Sequence, residues 1–313
     1  MNTQPLPRRS LSLWFQVVVA CALWGAGPTA VRAELKVATL HPLMTDLAKQ
    51  VGGSHVSVTG LMSPGENIHQ FSPSSSDMAA ARSADVVLAS GKGLETYLPR
   101  LRSTLGSATR IVEAGSAVPS IKISAKDALF VCCPQHAVGG LDPHWWHSIS
   151  GMKKAATFVG KEFGKADPAN AKAYQANAAA YGQRLDALSA WAKRELSRVP
   201  RSGRVLVTGH AAFAYFCKEF GFRSLPVAGL SEESVGSQYL AEAIAQIQKN
   251  GVRTIFPEQG NNTRAISSVA KSASVGLGRA LIADGSASEA TTYEAFIRHN
   301  IGAIAAGLGG GAS

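Results

Sequence analysis

The sequence predicts an α/β protein with two βα lobes, mainly parallel sheets, and one long rigid helix that links the lobes. Short apolar segments alternate with helical segments from Leu35 onward, and the same alternation starts again after Pro200. Such alternation is typical of parallel sheets covered by helices. Between the two stretches, residues 168–199 carry apolar side chains at intervals of three or four, which predicts a single long helix.

Residues 1–33 have the layout of a signal peptide. Two arginines precede an apolar run from about residue 11 to residue 26, and small residues end the segment at Ala33. We therefore expect export to the periplasm or another extracytoplasmic space, with cleavage after Ala33. The alternatives are a retained N-terminal anchor and lipid attachment at Cys21. The residues after Cys21 are apolar, which is unlike the usual polar tether of a lipoprotein.

Residues 34–166 are predicted to form the N-terminal βα lobe. It begins with the strand "LKVATL" and the helix "HPLMTDLAKQVGG", in which Leu43, Leu47 and Val51 recur at helical spacing before a glycine pair. The strand "HVSVTGLM", a serine-capped helix in "SPSSSDMAAARSA" and the buried strand "DVVLAS" follow. Another helix is expected to begin near Ser148.

Residues 167–200 are predicted to form the linking helix. Its apolar positions lie on one stripe, at Tyr174, Ala178, Tyr181, Leu185, Leu188, Ala192 and Leu196. About 30 helical residues span on the order of 45 Å, which is the length of a domain. The apolar stripe predicts that this helix packs against both lobes.

Residues 201–313 are predicted to form the C-terminal βα lobe. The expected strands are "RVLVTG", "RSLPVAGL", "TIFPE" and "RALIAD". The expected helices are "HAAFAYFCKEFG", "SQYLAEAIAQIQKNG", "TRAISSVAKSA" and a last helix from Tyr293. Ligands of open α/β sheets bind at the carboxyl ends of the strands, so two such lobes facing each other predict a cleft between them.

The charge of the chain does not indicate a nucleic-acid partner. The formal net charge is +10, and removal of residues 1–33, which hold three arginines and no acidic residue, leaves +7. The basic residues are scattered among acidic ones and form no tract interleaved with aromatic residues. We expect a monomer that binds no nucleic acid.

Four side chains capable of binding a metal follow predicted strands or precede a helix. His69 lies in the loop after the second strand, His144 lies in "LDPHWWH", His210 follows "RVLVTG", and Asp284 ends "RALIAD". Their spacings of 75, 66 and 74 residues are too long for a local clamp and suit a site assembled from two lobes. Three imidazoles and one carboxylate suit a tetrahedral Zn²⁺, whereas Mn²⁺ prefers more oxygen ligands. The alternative is that these histidines are unrelated loop or core residues.

Several motifs resemble those of the zinc- and manganese-specific solute-binding proteins of bacterial ABC importers. They are "PGENIHQFSPSSSD", "DPHWWH", "TGHAAFAYFCKEFG" and "LIADG", followed by "TTYEAFIRHNI". The resemblance implies two βα lobes bridged by a rigid helix, with the metal in the interlobe cleft. It also implies that the ligands are His69, His144, His210 and Asp284. Manganese-selective members often carry Glu at the third position, so His210 favours zinc.

Other residues near these motifs have alternative roles. His147, one turn after His144, is an alternate ligand, a relay or a hydrogen-bonded neighbour of the site, and we favour a non-ligand role. Glu258 is a reserve oxygen ligand or a partner for an imidazole N–H. His41 either faces the cleft or caps the following helix. Trp145 and Trp146 are expected to wall the cleft and exclude water.

The cysteines leave a further question open. Three follow residue 33, at Cys132, Cys133 and Cys217, and an odd number leaves at least one thiol unpaired unless it binds a metal or another chain. A disulfide between Cys217 and one of the neighbouring pair is the favoured interpretation. His136 with Cys132 and Cys133 is the alternative, as an auxiliary site for a soft metal.

The sequence thus predicts an exported protein, not an enzyme, that captures Zn²⁺ and delivers it to an ABC permease at the inner membrane. A manganese importer component, a metal-dependent adhesin and a periplasmic metal chaperone are the alternatives. A zinc hydrolase with Glu258 as general base is less favoured, because the chain has no HExxH helix and no nucleophile elbow.

Overall fold

The computed structural model describes residues 1–2, 4, 34–107, 109–124, 139–227, 237–260, 263–285 and 287–310. The chain divides into Met1–Ala33 and Glu34–Ser313. The predicted signal peptide lies almost wholly outside the described residues. Among the residues described, no helix is both long enough and apolar enough to cross a membrane.

The first sheet of Glu34–Ser313 has four parallel strands. They are β1 (Leu35–Thr39), β2 (Val56–Gly60), β3 (Val86–Ala89) and β4 (Arg110–Glu113), in the order β2-β1-β3-β4. The helices α1 (Pro42–Gly52), α2 (Ser75–Ser83) and α3 (Leu98–Thr104) connect them. Every residue of β3 is buried, as expected for an apolar strand covered on both faces. A capping box between Ser74 and Asp77 begins α2.

Two antiparallel helices follow the first sheet: α4 (Ile149–Ala166) and α5 (Ala171–Leu196). The 26 residues of α5 span about 39 Å. All seven residues of its predicted apolar stripe are buried. Gly160 lets the two helices approach closely, because a Cβ atom there would lie 3.1 Å from the Cβ of Ala178. The helix α5 also packs against α1 and against the last helix, α9 (Tyr293–Leu308).

The second half of the chain contains two short parallel strand pairs. They pair β5 (Val205–Thr208) with β6 (Arg223–Pro226), and β7 (Thr254–Ile255) with β8 (Gly276–Leu277). A parallel bridge between Thr208 and Phe256 joins the pairs. The helices of this half are α6 (Ala214–Phe220), α7 (Ser237–Lys249), α8 (Thr263–Ala273) and α9.

These elements confirm the predicted α/β class with parallel sheets and one long helix. The domain bounds 34–166, 167–200 and 201–313 stay a prediction, because Glu34–Ser313 is one compact unit. The sequence analysis did not assign α3 or β4, which lie between the predicted strand "DVVLAS" and the motif "LDPHWWH".

The predicted strand at residues 279–284 is wrong in its position. The strand β8 lies at Gly276–Leu277, and Leu281 makes only an isolated bridge with Glu258. The reason is that a side chain from a distant helix hydrogen-bonds to the backbone N–H and C=O groups of this segment. The Asn300 amide accepts from the N–H of Ile282 at 2.9 Å and donates to its carbonyl oxygen at 2.8 Å, so no neighbouring strand is needed there.

Candidate metal centre

Four side chains from distant parts of the chain converge on one point. His69, His144, His210 and Asp284 each place one potential ligand atom there, and all of these atoms lie within 4.8 Å of one another. The Oδ1 atom of Asp284 lies 3.2 Å from Nε2 of His69, 3.7 Å from Nε2 of His144 and 3.4 Å from Nε2 of His210. The Nε2 atoms of His144 and His210 are 3.4 Å apart. The structure therefore brings together all four residues that the sequence predicted.

Each of the four residues follows or precedes a regular element. His69 lies in the loop between β2 and α2, and His210 lies two residues after β5. His144 precedes a short 3₁₀ turn, Trp145–His147, that leads into α4. Asp284 lies between β8 and α9. The site is thus built from both halves of the chain.

The distances between the four atoms fit a small cation. Four atoms that each lie about 2.05 Å from a zinc ion at the centre of a tetrahedron are about 3.3 Å apart. Four of the six separations, 3.2, 3.4, 3.4 and 3.7 Å, are close to that value, and none exceeds 4.8 Å. The imidazole side chains are at most 3 % exposed, while that of Asp284 is 15 % exposed. A desolvated cation would therefore meet three nitrogens and one oxygen.

Two of the imidazoles are fixed by carboxylates on the side away from the cluster. Nδ1 of His144 lies 2.8 Å from Asp142 Oδ1, and Nδ1 of His210 lies 2.6 Å from Glu258 Oε2. Glu258 also accepts the backbone N–H of His210 at 3.0 Å, and Asp142 accepts that of His144 at 2.9 Å. An ionised carboxylate accepts a hydrogen bond from Nδ1–H, which leaves Nε2 of each ring to face the cluster. Carboxylate partners of this kind orient metal-binding histidines and make them better donors.

His69 is held in a different way. Its backbone N–H donates to the Asn67 side chain at 3.0 Å, which fixes the loop, and its Nε2 faces Asp284. Nδ1 of His69 is buried and has no hydrogen-bond partner among the described residues.

The cluster is electrostatically coupled. For His210, burial lowers the pKa, but the Glu258 carboxylate and then Asp284 outweigh it, so that the pKa lies well above 6.5. Burial, followed by the nearby imidazoles His210 and His69, holds the pKa of His144 well below 6.5. For Asp284, burial raises the pKa, but His210 and His69 together lower it by more than that, so that the pKa lies well below 3.8. In the metal-free cluster a proton on His210 therefore lies between the two acceptors, Nε2 of His144 and Oδ1 of Asp284.

His147 lies outside the cluster. Its Nε2 lies 2.8 Å from the carbonyl oxygen of Ala283, and its ring packs on Phe213 with ring centroids 4.3 Å apart. Burial lowers the pKa of His147 to about 3. The ring is therefore a neutral N–H donor that holds the segment before Asp284.

The two tryptophans of "LDPHWWH" are both fully buried. The indole N–H of Trp146 donates to the Ala283 carbonyl at 3.0 Å, and its ring lies 5.2 Å from that of His144. Trp145 donates to the side chain of Ser90 at 2.9 Å. The Trp146 ring therefore walls one side of the site, whereas Trp145 lies against Ser90 and Gly115.

His41 combines the two roles that the sequence left open. Its Nδ1 accepts the N–H of Leu43 at 3.0 Å, which caps α1. Its ring packs on Trp146 with centroids 4.8 Å apart, on the side of the cleft. Burial lowers the pKa of His41 to about 3.

Three of the predicted residues cannot be placed. Cys132, Cys133 and His136 lie outside the described residues, so the proposed disulfide and the soft-metal site both stay predictions. Cys217 is buried in α6. The sequence analysis also missed Asp142, whose position two residues before His144 in "LDPHWWH" was the available signal.

A cavity of about 240 Å³ leads from the surface to Asp284. Its walls include Glu66 and Asn67 from the loop of His69, and Gln259 and Glu289 from the second half of the chain. These walls offer carboxylate and amide oxygens along the exposed side of the site.

The family model of zinc-uptake complex component A, periplasmic (ZnuA), matches residues 37–307. The chain belongs to this family. As a member of the ZnuA family, it is a metal-binding, substrate-binding protein of the ABC transporter class.

Relatives of this ZnuA-family chain extend over nearly its whole length. It is 32% identical over 300 residues to the manganese-binding lipoprotein MntA of Bacillus subtilis, covering 93% of this chain and 95% of MntA. It is 28% identical over 297 residues to the iron-binding protein YfeA of Yersinia pestis, covering 94% and 92%. The periplasmic zinc-binding protein TroA of Treponema pallidum has a similar structure, with a TM-score of 0.76, 26% identity and coverage of 88% and 99%.

Proposed function

We propose that this chain captures one Zn²⁺ ion through His69, His144, His210 and Asp284 and delivers it to an ABC permease at the inner membrane. The observation that carries the proposal is the convergence of three imidazole nitrogens and one carboxylate oxygen within 4.8 Å of one another, with four of the separations between 3.2 and 3.7 Å. The carboxylate partners of His144 and His210 support it, because they leave Nε2 as the donor atom in each ring.

The donor set favours zinc over manganese. Imidazole nitrogen suits Zn²⁺, while Mn²⁺ is better served by carboxylate, carbonyl and water oxygens. A manganese importer is the second candidate, because the 32%-identical relative MntA is named as manganese-binding. A further relative, YfeA, is an iron-binding protein.

The chain acts as a carrier and not as an enzyme. Four protein ligands close a tetrahedral shell and leave no open position for an activated water, which a catalytic zinc site requires. Glu258, the general base of a hydrolase alternative, is 3 % exposed and hydrogen-bonded to His210. It supports the imidazole in place of activating a water.

A protein that delivers metal to an ABC permease works on the outer side of the inner membrane. We place the chain in the periplasm or another extracytoplasmic space, exported by the signal peptide of residues 1–33 and working there as a monomer. The alternative is that the exported chain is anchored by a lipid on Cys21, and this is supported by the relative MntA, which is a lipoprotein. In both forms the permease receives the metal from the binding protein.

Metal uptake by cells tests this function. Cells that lack the gene are expected to take up less radioactive ⁶⁵Zn than wild-type cells at nanomolar zinc, while their uptake of ⁵⁴Mn is unchanged. A plasmid that expresses the chain should restore ⁶⁵Zn uptake, and the His210→Ala variant should not. Loss of ⁵⁴Mn uptake alone would instead support the manganese importer.

A further inference from the structure

His41 carries a buried hydrogen-bond donor that has no acceptor. Its Nδ1 accepts the N–H of Leu43 at 3.0 Å, so this nitrogen bears no proton, and the proton of the neutral ring is on Nε2. The residue is 1 % exposed, and Nε2 has no hydrogen-bond partner among the described residues. A buried donor without an acceptor destabilises the protein, and such a group in a folded protein points to an acceptor that is present only when a ligand is bound.

The Nε2 edge of His41 faces the segment that carries Asp284. A Cβ atom at the next residue, Gly285, would lie 3.2 Å from Nε2 and 2.9 Å from Cε1 of His41. The backbone of Gly285 has a φ of +124°, which favours glycine and lets the segment pass against the ring. Among charged groups, the Asp284 carboxylate acts most strongly on the His41 ring, followed by His69.

The nearest carboxylate oxygen of Asp284 is the same atom for all three imidazoles. Oδ1 is the atom that lies 3.2, 3.7 and 3.4 Å from His69, His144 and His210. A carboxylate that binds through one oxygen gives four-coordination with three imidazoles, whereas binding through both oxygens adds a fifth ligand atom. Zn²⁺ favours the first arrangement, and Mn²⁺ favours the oxygen-richer one.

We propose that the Nε2–H of His41 donates to the second carboxylate oxygen of Asp284 in the metal-loaded protein and thereby holds that oxygen off the metal. His41 is then a positioning residue that makes Asp284 a one-oxygen ligand and selects four-coordinate Zn²⁺ over Mn²⁺. This inference rests on the proposed function, because it concerns the selectivity of the same site.

Two substitutions separate the two nitrogens of His41. In His41→Asn the amide oxygen reaches about as far as Nδ1, so the variant keeps the cap of α1 and loses the Nε2–H donor. In His41→Gln the amide nitrogen reaches about as far as Nε2, so the variant keeps that donor and loses the cap. Urea unfolding of the metal-free proteins is expected to show that Gln lowers the unfolding midpoint more than Asn does.

Metal competition titrations with the purified chain provide the selectivity. For His41→Asn the ratio of the Mn²⁺ and Zn²⁺ dissociation constants should fall about tenfold, the usual effect of losing a partner of a ligand. For His41→Gln the ratio should stay within about twofold of the wild type. The absorption of the Co²⁺-loaded protein between 500 and 700 nm should weaken in His41→Asn, since five-coordinate Co²⁺ absorbs less strongly than four-coordinate Co²⁺.

The inference is overturned if His41→Asn leaves the ratio of the two dissociation constants unchanged, even when it weakens the binding of both metals. It is also overturned if His41→Asn shifts the ratio no more than His41→Gln does. A measurement on the wild type covers the case in which a variant does not fold. The ¹⁵N NMR signal of the His41 Nε2–H should become protected from water exchange and move downfield on Zn²⁺ loading, and an unchanged signal contradicts the inference. A wild-type protein that binds neither metal would instead overturn the proposed function.

Discussion

At the scale of single residues, a proposed ligand and a supporting histidine differ in the group that Nε2 of the imidazole faces. Nε2 of His210 faces three other ligand atoms, while its Nδ1 is bonded to Glu258. Nε2 of His147 instead faces the Ala283 carbonyl. We therefore expect these two equally buried histidines to have different roles.

Substitution of these two histidines tests the assignment. His210→Ala removes a proposed ligand together with the imidazole that bonds to the buried Glu258, so the Zn²⁺ affinity should fall by more than about 100-fold. His147→Ala should reduce the affinity less than about tenfold and act mainly by lowering the unfolding temperature. Competition titration with a chromophoric chelator measures both. Equal losses of affinity at the two positions would contradict the ligand assignment.

Zinc binding is expected to release protons. The pKa of His210 lies well above 6.5 in the metal-free protein because Glu258 and Asp284 are close, so the ring is protonated at pH 7. Zn²⁺ must displace that proton, and the apparent affinity therefore falls as the pH decreases from 7 to 5, where free protons compete with the metal. Calorimetry at pH 7 in buffers of different ionisation enthalpy should give about one released proton per zinc ion.

The variant Glu258→Gln is the control for this release. The neutral amide removes the charge that raises the His210 pKa, so fewer protons should be released at pH 7 while the amide can still accept a hydrogen bond. Release that is the same in Glu258→Gln and the wild type would place the displaced proton elsewhere.

The convergence of the four proposed ligands was predictable from sequence, but the residues that hydrogen-bond to them were not. His69, His144, His210 and Asp284 follow strands or precede a helix, and strand ends meet in parallel folds. Asp142 is only two residues from its partner, yet an Asp before a Pro is equally typical of a turn. The pairing of Glu258 with His210 joins residues 48 positions apart, and sequence offered it only as one of two roles.

At the scale of elements, α4 and α5 form the support on which both halves of the chain rest. The helix α5 contacts α1 from the first half and α9 from the second. A buried Asp46 on α1 accepts the N–H of Tyr293 at 2.9 Å, which ties α1 to the start of α9. The Tyr293 hydroxyl in turn donates to the Trp146 carbonyl at 2.9 Å, next to the metal site.

The apolar stripe of α5 should carry much of the stability. Leu188 is 1 % exposed, so Leu188→Ala should lower the free energy of unfolding by about 2–5 kcal/mol through the cavity that it leaves. Gln183→Ala, on the exposed face of the same helix, should change it by less than about 0.5 kcal/mol. Urea unfolding of the metal-free protein measures both. A similar small effect at both positions would show that α5 does not pack as described.

Regular periodicity explains which elements could be predicted. The stripe of α5 repeats every three or four residues over seven positions, and all seven are buried. Residues 279–284 have the composition of a strand, but Asn300, Trp146 and His147 hydrogen-bond to this segment from distant positions. Local composition contains no information about such side chains. The helix expected from His210 begins only at Ala214. The His210 carbonyl accepts from the Thr208 hydroxyl and from the Ala212 N–H, instead of from an N–H four residues on.

At the scale of the whole molecule, the metal is expected to join loops and not to bend the support. Its proposed ligands come from the loop after β2, the segment before α4, the end of β5 and the segment before α9. The helix α5 contributes no ligand, and its contacts with α1 and α9 do not involve the cluster. Binding of a metal stabilises the folded state in proportion to its affinity.

Hydrogen exchange with and without Zn²⁺ tests this expectation. Exchange should slow at residues 63–72 and 139–147, which carry His69 and His144, while the core of α5 stays unchanged. The radius of gyration from X-ray scattering should be the same in both states. Slower exchange along all of α5, or a radius that decreases by several ångströms, would indicate hinge bending of the support instead.

X-ray absorption at the zinc K edge of the zinc-loaded chain tests the central claim most directly, because it counts the ligand atoms. We predict four nitrogen or oxygen scatterers at about 2.0–2.1 Å, with the outer-shell signal of three imidazoles, and two imidazoles in His210→Ala. A sulfur scatterer at about 2.3 Å would place the zinc at Cys132 or Cys133. Sulfur, or an unchanged imidazole signal in His210→Ala, would contradict the site formed by His69, His144, His210 and Asp284.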